Sequence, residues 1–248
     1  KALAVNISDI CAMGAKPIGF FLNLIFSEKI SKEFLKGLFS EMSTLCNTLG
    51  IVLAGGDISR GPILGLSITI WGESRSYLKR SPKPGDLLFV VGEIGLSKTG
   101  FFVLEECRDL KDEFPVSVRH FLRPPIFVEE ALNIANFNGV HALMDISDGL
   151  IKDLHRFVGN NLGTKLFSES FSVHEEIKKI ASIANLNPLE IMLSGGEDYA
   201  LLGSVGREYL DKLKKMVPIR VIGEVVLRKG IWLDDKPLEV SGFDHFVN

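Results

Sequence analysis

Asp145, Ser147 and Asp148 fall within the seven residues 144–150, Met-Asp-Ile-Ser-Asp-Gly-Leu, and their side chains suit a cation site. Two carboxylates this close repel unless a proton or cation lies between them, and hard oxygen donors favour Mg²⁺. Asp148 as a helix N-cap and Asp145 as a turn residue would explain the same letters without chemistry. Recurrence argues for chemistry. Asp9 follows Ser8, Asp57 lies in Gly-Gly-Asp-Ile-Ser-Arg-Gly-Pro (55–62), and Glu197 and Asp198 lie in Ser-Gly-Gly-Glu-Asp-Tyr (194–199). Each of these acidic turns has a structural explanation of its own, as a cap or a glycine turn. Four together fit a multi-carboxylate Mg²⁺ site that handles phosphates, with Arg60 or Arg80 neutralising phosphate charge.

Strands and helices must carry those residues. The run Val140, Ala142, Leu143, Met144 reads as a short buried strand, and Gly149 opens an amphipathic helix over 150–158. Asp145 to Asp148 would then stand where a parallel strand ends and a helix begins, a position where open α/β sheets bind ligands. Residues 2–7 read as an apolar segment, with Asp9 heading a short helix that stops before Pro17. A strand over 20–26 and a helix from Ser31 to Gly50 follow. The strand 51–54 then delivers the Gly55-Gly56-Asp57 turn, where two glycines let backbone approach a ligand. Leu64 to Trp71 is a further strand. Prolines and cations over 77–86 mark a linker, with the boundary near residue 80 and units of 1–79 and 80–248. Gly92 to Gly95 matches neither nucleotide-loop pattern and reads as a strand-to-helix turn. Beyond it the periodicity gives a proline-broken segment at 119–125 and helices over 128–135, 175–184 and 207–216. It also gives a strand over 219–226 and a hairpin turning at Asp234-Asp235. The fold class is α/β, in α+β layers.

Composition narrows the function. The chain has 248 residues, 46% hydrophobic and 24% charged, an ordinary globular balance. A net charge of −3 gives no electrostatic reason to expect nucleic acid. Three cysteines without a CxxC pair argue against a disulfide framework or zinc site and fit a reducing, cytoplasmic setting. No apolar run approaches the ~18 residues of a membrane span, so no membrane partner is expected. The start at Lys1 points to a fragment of a longer chain. Nucleophile schemes fare poorly: GxSxG and HExxH are both absent, and the histidines lack metal-ligand spacing.

Six stretches, in order, resemble the thiamine-monophosphate kinase family of the aminoimidazole-ribonucleotide-synthetase-like superfamily. They are 4–15 (Ala-Val-Asn-Ile-Ser-Asp-Ile-Cys-Ala-Met-Gly-Ala), 55–62, 79–86 (Lys-Arg-Ser-Pro-Lys-Pro-Gly-Asp), 144–150, 194–199 and 242–246 (Gly-Phe-Asp-His-Phe). The resemblance implies a two-domain fold with a truncated N-terminal half that pairs with a second subunit as a homodimer. It implies transfer of the ATP γ-phosphoryl group to thiamine monophosphate with Mg²⁺. Carried over residue by residue, Asp9, Asp57, Asp145 and Asp148 are expected as Mg²⁺ ligands. Gly56, Asp57, Arg80, Ser147 and Phe39 are expected at ATP, and Glu197 and Phe243 at thiamine monophosphate. No protein base is expected, since a phosphate acceptor is already nucleophilic. Ile58 departs from the threonine usual in the family, and further acidic ligands would lie upstream of Lys1. The alternatives are another ATP-using synthase of the superfamily, of the selenophosphate or purine-precursor type, or a non-catalytic binding domain that keeps the fold.

Overall fold

Residues 1–239 are described by the computed structural model, in which helices alternate with strands. Helix α1 (Ala2–Ala12) leads into strand β1 (Lys16–Phe26). The Ser31 side chain accepts from the Phe34 N–H to start α2 (Lys32–Leu49), and Gly50 ends it in the left-handed conformation at φ 65°. Strand β2 (Val52–Arg60) runs parallel to β1 on one side, and β3 (Gly65–Glu73) runs antiparallel on the other. These form a three-stranded sheet of order β2-β1-β3. Residues 74–86 contain neither helix nor strand.

The second sheet begins with β4 (Leu87–Val91), followed by α3 (Leu96–Glu106), α4 (Pro115–Leu122) and α5 (Val128–Ala135). Then come β5 (Val140–Asp145), α6 (Leu150–Val158), β6 (Gly163–Leu166), α7 (Glu175–Ala184) and α8 (Pro188–Ser194). The remainder is β7 (Leu201–Val205), α9 (Leu210–Lys214), β8 (Arg220–Val226) and the hairpin β9 (Gly230–Leu233) with β10 (Lys236–Leu238). The strands assemble in the order β10-β9-β6-β8-β4-β7-β5, and the β6–β9 pair is parallel. No described helix is long and apolar enough to cross a membrane.

Side chains alternate faces along a strand, so a strand buried throughout must serve two cores. In β4, Leu88 and Val90 join Leu150, Leu154, Phe157, Ile180 and Met192 under α6, α7 and α8. Leu87, Phe89 and Val91 face the other way, toward Leu3, Ile7, Phe20, Leu22, Leu143 and Leu201. Helix α1 is therefore shared: it packs against β1 and β3 of the small sheet and against β5 and β7 of the large one.

Several expectations need correction. Asp9 does not head a helix; it sits late in α1, whose buried Leu3, Ile7 and Cys11 recur at helical spacing. Gly55-Gly56-Asp57 is not a turn but the middle of β2. A Cβ at Gly56 would lie 1.8 Å from the Leu22 carbonyl oxygen, so glycine here serves the close approach of β2 to β1. The segment 119–125 is helical through Leu122, because Pro115 starts α4 at a position where its missing N–H costs nothing. Strand β5 pairs antiparallel with β7, so Asp145 does not end a parallel strand. Strand β6 and helix α8, which Asn187 caps, were not foreseen.

One contact in the central sheet can be tested directly. Phe89 lies opposite Gly203, and a Cβ there would stand 2.2 Å from the ring. Gly203→Ala is expected to destabilise the fold by about 1–3 kcal/mol through overpacking. Urea denaturation should show a lower midpoint with an unchanged slope.

Candidate active site

Asp145 ends β5, the loop from there to α6 carries Ser147 and Asp148, and a residue inside the helix holds that loop in shape. Asp153 is wholly buried, and its Oδ2 accepts the N–H groups of Ser147 and Asp148, each at 2.9 Å. Its Oδ1 accepts from Arg156 Nη1 at 3.0 Å, and the same nitrogen lies 2.5 Å from Asp148 Oδ2. Burial pushes the Asp153 carboxyl above its ordinary range, against the hydrogen bonds that favour its charge. Gly149, at φ 117°, starts the helix, and Asp148 is not its cap.

Helix α1 brings Ser8 and Asp9 to this loop. The Ser8 hydroxyl donates to Asp145 Oδ2 at 2.8 Å. Asp9 is pushed up to about 6, first by partial burial and then by the neighbouring Asp145 charge. Burial raises Asp145 as well; Ser8 and the positive charge of Arg80 oppose that rise, while Asp148 adds to it. The charge of Asp145 thus acts on Asp9 across two elements, and that of Asp148 acts on Asp145. The fourth expected ligand, Asp57, stands apart on the exposed edge strand β2, opposite Asn23. Its carboxylate accepts from the Ser59 hydroxyl at 2.8 Å, and its charge is not among those shifting Asp9 or Asp145. Among the described residues, no group of three or more His, Cys, Asp or Glu side chains that could hold a metal ion is present.

The remaining expected residues divide. Ser147 is in the loop. Arg80, exposed beside it, acts on Asp145 through its charge. Gly56 lies against Leu22, as described, and Arg60 pairs with Glu28 at 2.9 Å on the surface. Phe39 is half-buried against the core that α1 shares, where its ring has a packing role. Phe243 lies outside the described residues.

Glu197 reaches the same place along a second route. The segment between α8 and β7 runs against the β5–α6 loop: Glu197 N–H donates to the Ser147 carbonyl at 2.7 Å and Tyr199 N–H to Ile146 at 2.9 Å. A Cβ at Gly196 would lie 2.8 Å from the Ser147 carbonyl oxygen, so the two backbones touch. Glu197 (φ 66°) and Tyr199 (φ 51°) adopt the left-handed conformation, which side chains other than glycine rarely take and which collects at functional sites. Burial raises the Tyr199 phenol, and the charges of Glu197, Asp145, Asp9 and Asp148 add to the rise. Glu197 Oε1 also meets Lys1 Nζ at 2.9 Å, and that ammonium lies 3.5 Å from the centre of the Phe121 ring.

Sequence reasoning missed Asp153, Ser8, Lys1 and Arg156. Asp153 had a legible signal, since it shares the buried helical stripe of Leu150, Leu154 and Phe157. The pairing of Lys1 with Glu197 had none, because only the tertiary fold brings residues so remote in sequence together.

The Asp9 shift sets a pH dependence. Its carboxyl titrates near 6 in the folded chain and 3.8 otherwise, so its contribution is intact below about 4 and is lost as pH rises through 6. Residual exposure tempers the effect. Without added metal, Asp9→Asn is expected to raise Tm at pH 8 and leave it unchanged at pH 4. Thermal melts at the two pH values check this.

Comparison with known proteins extends the reading. Residues 1–73 match the AIR synthase related protein N-terminal domain, and residues 83–235 match the corresponding C-terminal domain. The chain is 29% identical to the thiamine-monophosphate kinase of Aquifex aeolicus, covering 99% of this chain and 80% of that protein. It is 33% identical to that of Escherichia coli, covering 100% and 79%. The structure of AaThiL complexed with AMPPCP and TMP superposes with a TM-score of 0.86 at 28% identity, over 99% of this chain and 79% of that one. The hydrogenase maturation protein HypE in complex with ATP, at 18% identity and a TM-score of 0.76 over 90% of this chain and 69% of that one, shares the fold. Matched along nearly its whole length by these relatives and by both domain models, the chain belongs to the thiamine-monophosphate kinase family.

Proposed function

We propose that this chain transfers the γ-phosphoryl group of ATP to thiamine monophosphate with the help of Mg²⁺, yielding thiamine diphosphate and ADP. One observation carries the reading: the bond from Glu197 N–H to the Ser147 carbonyl at 2.7 Å joins the acceptor-side segment to the acidic loop. The family's named kinases, and the relative's complex with AMPPCP and TMP, support both substrates.

Asp9, Asp145 and Asp148 fit Mg²⁺ because their mutual repulsion is what a divalent cation relieves. Mg²⁺ commonly takes one or two carboxylates and completes its shell with water and phosphate oxygens. When bound, the ion supplies charge neutralisation at the transferring phosphoryl group. Ser8 orients Asp145, and Asp153 fixes the backbone of Ser147 and Asp148, so the acidic loop is in place before substrate arrives. Arg80 offers positive charge for ATP phosphates beside Asp145. Asp57, with Gly56, would join only once a nucleotide reaches from the large sheet toward β2. Glu197 offers a carboxylate to the cationic rings of thiamine monophosphate, with Phe243 proposed alongside. The acceptor's own phosphate oxygen attacks the γ-phosphorus in line as the bond to ADP breaks, and no protein base is required.

We further infer a two-unit chain divided near residue 80 and a homodimer formed through the small sheet. Phe21, Ile25 and Trp71 are exposed on that sheet, and Phe21 and Trp71 pack at 5.2 Å. Full-length protein should sediment as a dimer and Phe21→Lys as a monomer. In a coupled assay, ADP should appear only when ATP, thiamine monophosphate and Mg²⁺ are all present. Asp145→Ala should lower kcat/KM by about 100-fold or more. ADP release independent of thiamine monophosphate would sink the proposal.

A further inference from the structure

Asp198 has no place in the mechanism above, yet it is the most enclosed acid of its segment, with 0% of its surface exposed. The residues on either side, Glu197 and Tyr199, turn toward the acidic loop, while Asp198 turns the opposite way. Its Oδ2 accepts the Gly95 N–H at 2.6 Å and its Oδ1 the Ser97 N–H at 2.9 Å, where α3 begins. Ser97 completes the clasp, its hydroxyl donating to the Glu197 carbonyl at 2.7 Å. His120 Nε2, at 3.7 Å, is too far to share in it. The short peptide is therefore gripped on both sides, by the first turn of α3 and by the Ser147 and Ile146 carbonyls.

Two left-handed, non-glycine residues within three positions persist only where the surroundings over-determine them. Bonds donated by backbone N–H groups to a buried carboxylate are among the stronger constraints available for that purpose. We propose that Asp198, with Ser97, is the positioning residue that holds Glu197 in its left-handed conformation and so aims its carboxylate at the acceptor substrate. This rests on the reading of Glu197 as an acceptor contact.

The test uses full-length protein and Asp198→Asn, which keeps the shape but can accept only one of the two N–H bonds. Amide hydrogen exchange should quicken at Glu197 and Tyr199 while the β7 amides keep wild-type protection. The KM for thiamine monophosphate should rise about tenfold, with the KM for ATP within about twofold of wild type. Unchanged exchange at Glu197 and Tyr199 overturns the proposal. So does faster exchange with an unchanged KM for thiamine monophosphate when Glu197→Gln does raise that KM. If Glu197→Gln leaves it unchanged, the acceptor reading fails and the aiming role with it, and exchange alone decides whether Asp198 holds the backbone. Should Asp198→Asn fail to fold, Ser97→Ala removes only the bond to the Glu197 carbonyl and is judged by the same measurements.

Discussion

Repulsion between carboxylates is the constraint on which the proposed chemistry rests. Asp145 disfavours the charge of Asp9 on α1, and Asp148 disfavours that of Asp145. A flexible chain would relax such an arrangement by moving the groups apart. Here the backbone denies that escape: Asp153 ties down the loop, Ser8 fixes Asp145, and α1 is wedged between two sheets. The unfavourable energy is balanced by packing elsewhere, and it leaves a site whose cheapest relief is a proton or a divalent cation.

Lys1 and Arg156 temper that field. Arg156 pairs with Asp148 and Asp153 from within the helix, and Lys1 pairs with Glu197. The result has an anionic centre with positive charge at its edges, a pattern suited to a cation bridged to phosphates.

Much of the fold could be read from the sequence wherever local signals agreed with tertiary demands. The Ser31 cap and Gly50 stop bounded α2, and Asp234-Asp235 marked the last hairpin. The failures share a cause. Ser8-Asp9 reads as a cap because those residues favour caps, yet packing of Leu3, Ile7 and Cys11 carries the helix through them. Gly55-Gly56 reads as a turn because glycine weakens strands, yet only glycine fits beside Leu22. The acids were conspicuous by type and spacing; the structure sets Asp9 on α1 near Asp145 and leaves Asp57 apart on β2. The direction in which Asp198 or Asp57 points is fixed by neighbours remote in the chain, which local patterning does not encode.

The double-sided burial of β4 also bears on the division near residue 80. In sequence that position is a seam, with prolines, cations and no regular structure. In space the seam is welded, because Leu3, Ile7 and Phe20 from before it and Phe89, Leu143 and Leu201 from after it fill one common interior. Scission there would strip oil-facing surface from both pieces at once, so the halves should melt as a single cooperative unit and make poor building blocks for transplantation.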